Sequence, residues 1–583
     1  MFSSLKRFLL ATHFVLAFAI GYVPAWGQSS SQTSVQTSIS DDGAVAVICP
    51  GLFRKSIEPW VNYRMNQGYK VYLLEEPKNE PLIEKTSEGR VYSITPSVTP
   101  EYVKSRIKEL AETDPTLKYL LIIGDGAPDV NSEPTAASRL IPAPHVKANV
   151  VSLFGRREKE IASDNYYADL NDDSVPELAV GRISVSRPEE LDLIVKKIIS
   201  YETNSDQTFW KRRLNFVAGV GGFSPLLDGV IESSVRYILS EMISEGYDLS
   251  FTQANWRSPF CPAPELFRSV TVERFNEGCL FWVYMGHGYH KALDTLHTPQ
   301  GDFPIFVEGD AQYIESRSGL PIAIFCACHT GAFDGVENCV AEDLLRQPGG
   351  PIAVIASSRV SMPYGMAVFG VEFIENAMSG NCENIGTIFL NAKRNMLVKQ
   401  KGNNKKGDNK KTVRSMIDSI ARLTDPLASQ LNDQLVDHLH LFHLFGDPLL
   451  KIPLPEEVKI TCPDVAAPGE VIKVTGKAAF DGPIYLELVT PRKRLSLKAA
   501  GRNTFESNEK TRAEYMQAYR AANNLAILYV SGRSDGGVFE VPLKIPEDLE
   551  GEYVLRCFSA HDAGVAIGSG TIKIVPPSTA STK

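Results

Sequence analysis

Several stretches of this 583-residue chain stay apolar for the full length of a strand: Ala44–Cys49, Tyr119–Ile123, Phe281–Met285, Pro321–Cys326 and Ile352–Ala356. A strand with one wet face alternates apolar and polar residues, whereas one covered on both faces is apolar throughout. Between the runs lie helical patterns such as Pro100–Thr113, where Val103, Ile107 and Leu110 share a face. Buried strands alternating with helices predict a parallel, helix-covered sheet. In such sheets ligands bind beyond the carboxyl ends of the strands, so the residues that end each run are where chemistry is sought.

Two runs end in reactive side chains. Phe281-Trp-Val-Tyr-Met285 passes into Gly286-His287-Gly288, and Pro321–Ala327 passes into Cys328-His-Thr-Gly331. A thiol and an imidazole on adjacent strand ends are a nucleophile and its proton carrier. Cysteine is most often a buried structural residue, but Cys328 sits where the apolar run stops. Cys326, on the same face by strand alternation, lies deeper. Glycines flanking His287 let a substrate backbone approach and leave the Gly288 N–H open, so the Gly288 and Cys328 amides are candidate oxyanion donors. On an extended chain His329 would face away from the thiol. A zinc site of His287, His290, Cys326 and Cys328 is the competing use of these residues. The position of Cys326 inside the strand argues against it.

His-Gly after one strand and Ala-Cys after a later one resembles the caspase–legumain–gingipain clan of cysteine peptidases. Gly286-His287-Gly288 and Cys328-His-Thr-Gly-Ala-Phe333, with 41 residues from His287 to Cys328, look most like the gingipain family. The Gly181-Arg182-hydrophobic strand and Phe445-Gly-Asp-Pro448 resemble further passages of that family. The resemblance implies a caspase-like catalytic region of two consecutive α/β subdomains with parallel sheets, followed by an immunoglobulin-like β-sandwich. It implies a secreted cysteine endopeptidase that cleaves protein or peptide substrates through Cys328, with His287 as general acid/base. It assigns Glu177, just before the Gly-Arg strand, as the acid orienting His287, with Asp164 as the substitute. Gingipains take Arg or Lys at P1; Glu189 and Glu190 are candidates to recognise it, although acids at a helix N-terminus also serve the helix dipole. Two other functions share the same residues. One is a sortase-like transpeptidase, in which an amine replaces water; the other is a non-catalytic surface-binding protein on the same fold.

A net charge of -9 argues against a nucleic-acid partner. Lys6 and Arg7 precede an apolar stretch, Phe8 to Val23, that is too short to span a membrane and reads as a signal peptide over residues 1–27. The mature chain is then secreted or held in the cell envelope or periplasm, without a transmembrane segment. A Ser/Thr-rich leader over 28–43, α/β subdomains over 44–208 and 209–454, a sandwich over 455–575 and a tail over 576–583 complete the expected organisation. The sandwich is read from short alternating runs such as Ile472-Lys-Val-Thr and Ile484-Tyr-Leu-Glu-Leu. Lys399–Lys411 reads as a solvated loop. Nine cysteines are too few for a disulfide scaffold of this length. Asp169, Asn171 and Asp173 place oxygen side chains at alternate positions, a pattern suited to structural calcium and equally to a plain Asx turn. The cysteine chemistry itself requires no cofactor.

Overall fold

The apolar runs become neighbouring strands because each can bury both faces. The computed structural model describes residues 43–576 except 75–81, 86–90, 95–98, 127–140, 155–157, 205–207, 222–237, 381, 399–408, 495–501, 503 and 562–563. The expected signal peptide and leader, nearly all of the tail and most of the Lys-rich loop lie outside the described residues. Strands β1 (Ala44–Ile48), β2 (Lys70–Leu74), β3 (Leu117–Ile123) and β4 (Ala179–Ile183) are parallel and ordered β2-β1-β3-β4. Alternate residues feed two cores. Ala44, Ala46, Ile48, Leu120 and Ile122 pack with Val103 and Ile107 of the helix over Pro100–Thr113. Val45, Val47, Leu121 and Ile123 share a second core with Ile57 and Trp60 of α1 (Arg54–Asn66), and with Leu191, Ile194 and Ile198 of α2 (Pro188–Thr203).

The second segment supplies β5 (Arg213–Ala218), β6 (Asp248–Gln253), β7 (Phe281–Met285), β8 (Ile322–Cys326) and β9 (Ala353–Ser357), parallel in the order β6-β5-β7-β8-β9. Helix α3 (Leu431–Leu441) then runs straight into β10 (Phe442–Phe445), which starts opposite Ser357 at the carboxyl end of β9 and must therefore run back antiparallel to it. On its other side β10 pairs parallel with β4. The two α/β segments are thus joined edge to edge in one ten-stranded sheet, and their strands' carboxyl ends point in opposite directions. The Phe445-Gly446-Asp447-Pro448 passage fastens this seam. Gly446, at φ 141°, donates its N–H to Arg182 O at 2.8 Å. The buried Asp447 carboxylate accepts from Trp60 Nε1 and from Arg64, which also pairs with Glu202 of α2 at 2.7 Å.

From residue 456 the chain forms two facing sheets. One contains β12 (Gly482–Val489), β13 (Ala526–Ser534), β15 (Gly551–His561) and β16 (Gly564–Ile574), in the order β16-β15-β12-β13; the other is centred on β11 (Val471–Lys477) and β14 (Val538–Lys544). Ile472, Val474, Leu486, Leu488, Val541, Leu543 and Leu555 fill the space between them. An element not expected from the sequence, α4 (Glu509–Asn523), is carried in the connection from β12 to β13. It is rich in Ala, Glu, Gln and Arg, and Asn508 caps it by accepting the Thr511 N–H at 2.9 Å. The sandwich meets the α/β region through buried charge: Glu487 binds Arg212 at 2.6 Å and Arg556 at 2.8 Å. Among the described residues no helix is long and apolar enough to cross a membrane.

Removing one member of a buried ion cluster leaves uncompensated charge. Glu487→Ala, which strands the Arg212 guanidinium and leaves Arg556 with its 3.3 Å ion pair to Asp248, is expected to cost about 3–5 kcal/mol in urea unfolding. A loss below about 1 kcal/mol, the range of an exposed pair, would mean that this contact is solvated.

Candidate active site

The β7–β8 pairing decides what meets at the strand ends. Its register sets Phe281 against Ile322 and Met285 against Cys326, and Gly286 N–H donates to Cys326 O at 3.3 Å. Two residues further on, His287 and Cys328 come out level, both half-buried. A Cβ built on Gly288 would lie 2.5 Å from the Cys328 carbonyl oxygen and 2.8 Å from Ala327 Cβ, so only glycine allows this approach. Both the Gly288 and Cys328 amides lie beyond the last hydrogen bond of the ladder. Cys326 is buried one turn of the pleat below, and burial pushes its thiol up to about 12.

The Cys328 sulfur faces Ser361, in the loop beyond β9. The Ser361 N–H reaches it at 3.4 Å and the hydroxyl at 3.8 Å. Burial raises the thiol pKa, the two Ser361 donors oppose this by favouring thiolate, and the negative charge of Glu158 raises it again. Glu158 Oε1 lies 3.3 Å from His329 Nε2, and Oε2 accepts the Val360 N–H at 3.2 Å. His329 is not on extended backbone: at φ 57° it is left-handed, and its N–H donates to Arg359 O at 3.2 Å. The turn, rather than strand alternation, aims its ring at Glu158. Asp334 further along the same loop pairs with Arg359 and with His145.

The backbone of His287 is clamped from behind. Tyr284, fully buried, donates its hydroxyl to His287 O at 2.8 Å and lies beside Asp294: a Cβ built on Gly219 would come within 2.8 Å of the Tyr284 oxygen and 3.0 Å of Asp294 Oδ2. The buried Asp294 carboxylate in turn accepts the Val220 and Thr295 N–H groups, each at 2.9 Å. His290 Nε2 lies 2.8 Å from Glu337 O, and the exposed His297 pairs with Asp302.

Glu177 requires a correction. Its carboxylate accepts from Leu170 N–H at 2.6 Å and from Asn171 Nδ2 at 2.9 Å, closing the acidic turn before β4, and none of these partners is His287. Its substitute Asp164 is buried in a two-pronged pair with Arg182, at 2.7 Å for each bond. Glu190 caps α2, accepting the Ser186 and Arg187 N–H groups. The three residues singled out for calcium bond within their own loop. Asp169 accepts the Asp173 and Ser174 N–H groups, Asn171 accepts that of Asp173, and Asp173 accepts that of Val175. These oxygens are used by the loop's own backbone, as in an Asx turn. Among the described residues no three His, Cys, Asp or Glu side chains gather to hold a metal ion. Ser361, Tyr284, Asp294 and Glu158 were missed at the sequence level; only Ser361, just past the apolar run Ile352–Ala356, carried a strand-end signal.

A thiol level with an imidazole on neighbouring strand ends of an α/β sheet defines a site of cysteine-peptidase type. The model of Peptidase family C25 matches residues 38–453, and the chain belongs to that family. Its α/β region with parallel strands is of the class implied by the resemblance. Gingipain R2 of Porphyromonas gingivalis strain W83 is 22% identical over 407 residues, covering 66% of this chain and 48% of the relative. Lys-gingipain W83 of the same organism is 21% identical over 315 residues, covering 54% of this chain and 15% of the relative. The matched region thus spans about half the length of the first relative and much less of the second. A solved structure described as "Structure of Protease" superposes with a TM-score of 0.50 at 15% identity, covering 92% of this chain and 98% of the other. That of the Arg-specific cysteine proteinase gingipain R gives 0.48 at 17% identity, covering 92% and 99%.

Because burial is the largest influence on Cys328, its alkylation by iodoacetamide is expected to keep rising with pH past the point where a small exposed thiol levels off. A plateau already reached near neutral pH would show instead that the thiolate is the resting form.

Proposed function

We propose that the chain is a cysteine endopeptidase acting on protein or peptide substrates. The observation that carries this reading is the level placement of Cys328 and His287, with Gly288 packed on the Cys328 backbone. In the free protein burial holds the thiol largely protonated, so attack requires a base, and His287 takes the proton as Cys328 Sγ adds to the scissile carbonyl. The developing oxyanion is met by the Gly288 and Cys328 amides. His287 then returns the proton to the leaving amine as the C–N bond breaks, leaving a thioester on Cys328. Water, deprotonated by His287, adds to the thioester; its collapse restores the thiol and releases the acid. The Ser361 N–H steadies the sulfur whenever it carries charge. This scheme needs only the dyad, with Tyr284 and Asp294 holding the histidine backbone. The apolar, twice-covered sheet and the intact pair favour it over a non-catalytic surface protein.

The basic n-region and apolar stretch within residues 1–27 support export, to the medium or the cell envelope. Glu190 lends nothing to a basic P1 preference, since its carboxylate is engaged in the α2 cap.

Fluorescein-labelled casein and a peptide library test the reading. Cys328→Ala and His287→Ala are each expected to lower kcat by at least about a thousandfold, as for other members of a nucleophile–base unit, with Cys326→Ala close to wild type. Undiminished cleavage by Cys328→Ala would refute it, and transfer of the acyl fragment to an added amine in preference to water would make the enzyme a transpeptidase. Tyr284→Phe removes one neutral hydrogen bond to His287 O, worth about 1 kcal/mol, and is expected to lower kcat roughly fivefold to tenfold with KM unchanged.

A further inference from the structure

The connection from β12 to β13 leaves the sandwich and lies along the α/β sheet. At the free edge of that sheet, the Asn523 side chain pairs with both backbone groups of Phe251 in β6: Oδ1 accepts its N–H at 2.7 Å and Nδ2 donates to its O at 3.0 Å. Tyr519 shares a hydrogen bond with Thr252 Oγ1 at 2.7 Å, and Tyr515 donates to Trp256 O at 2.9 Å. An edge strand left open is a hazard for mispairing, and here α4 closes it.

Beyond α4 the same arm reaches the loop that follows His287. That loop continues into a hairpin, Thr295–Thr298 paired with Gly301–Pro304, whose base is tied by Leu293 N–H to Phe306 O and by Ile305 N–H to Asp294 O, both at 2.9 Å. The hairpin is gripped at two points. Phe505, buried with Ala263 and Tyr515, meets the Phe303 ring edge to face at 6.3 Å. The Ser507 N–H donates to Gln300 Oε1 at 2.7 Å. The base of the hairpin carries Asp294, which lies beside the Tyr284 hydroxyl that holds the His287 carbonyl.

We propose that this arm of the sandwich is a positioning element of the peptidase site: Phe505 and Ser507 hold the hairpin, and the hairpin, through Asp294 and Tyr284, sets the backbone of His287. The proposal rests on the endopeptidase reading for its kinetic consequence only. Phe505 and Ser507 touch no reacting atom; they act through the hairpin. The sandwich is then part of the enzyme and not an appended adhesive module.

The test uses the full chain with Phe505→Ala, Gln300→Ala, the conservative Phe505→Leu, and Lys510→Ala on the exposed side of α4 as control. Two quantities are read per folded molecule: kcat and KM on fluorescein-labelled casein, and the rate at which diethyl pyrocarbonate modifies His287, followed by mass spectrometry. Phe505→Ala and Gln300→Ala are expected to lower kcat at least fivefold with KM within twofold, and to change the His287 modification rate severalfold. Phe505→Leu is expected to recover most of both, and Lys510→Ala to match wild type. An unchanged His287 modification rate in folded Phe505→Ala overturns the proposal, as does a loss of activity that only follows a loss of folded protein. A wild-type chain that leaves casein and the peptide library intact would sink the peptidase reading instead, and the His287 modification rates would still decide the role of the arm.

Discussion

The parallel pairing of β7 with β8 is the constraint on which the site depends. Side chains along a strand alternate faces, so a slip of one residue would turn either His287 or Cys328 to the opposite side of the sheet. Burial enforces the register. Trp282 stacks on Phe275 at 4.1 Å and lies against Phe325 of β8, while Phe281 meets Phe373 edge to face. Slippage would expose these rings or drive them into their neighbours. Gly288 adds a second lock, because its backbone touches that of Cys328 with no room for a side chain between them.

The remaining motif residues after Cys328 are explained by the seam between the two halves of the sheet. A Cβ on Gly331 would lie 2.9 Å from both Ala356 Cβ and Phe445 Cε2, so the loop passes β9 and β10 only as glycine. Phe333 then packs over the Arg182 guanidinium, 4.8 Å from its ring centre, and against His443 and Phe445. Arg182 is itself buried and neutralised by Asp164. The Gly-Arg strand of the first half therefore anchors the nucleophile loop of the second. This gives the first α/β segment a part in the site without placing one of its side chains on the thiol.

The core and the strand ends that carry the candidate thiol and imidazole were legible in the sequence for one reason: both are written locally. Continuous apolar runs reported strands covered twice, and small or polar residues at their ends reported where the chain emerges. What misled was distance. Glu177 reads as an acid before a strand, but the direction of β4 relative to β7 depends on β10 running back between the halves, and a four-residue strand fed directly by a helix announces nothing about its orientation. For His329 the alternation argument assumed an extended backbone; its left-handed φ of 57° takes the chain off that path and the ring meets Glu158. Helix α4 passed unnoticed because its buried face is carried mainly by Tyr515 and Tyr519, too sparse a stripe among polar residues to stand out.

By itself the sequence determined the layering of the α/β region, the residues that close its strands, and the candidate thiol and imidazole, since period, burial and strand length are local properties of a polymer in water. The tertiary structure alone decided which acid faces which base. It turned Glu177 and Asp169 onto their own turn, gave Asp164 to Arg182, brought Ser361 to the sulfur and Tyr284 to the histidine carbonyl, and carried the sandwich arm to the far edge of the sheet. The arm's contacts join groups hundreds of residues apart and follow from strand order and direction, which emerge only when the whole sheet is assembled. The bonds of Asp169, Glu177 and Tyr284 are short in sequence but depend on the path the chain takes outside its strands, which periodicity does not encode.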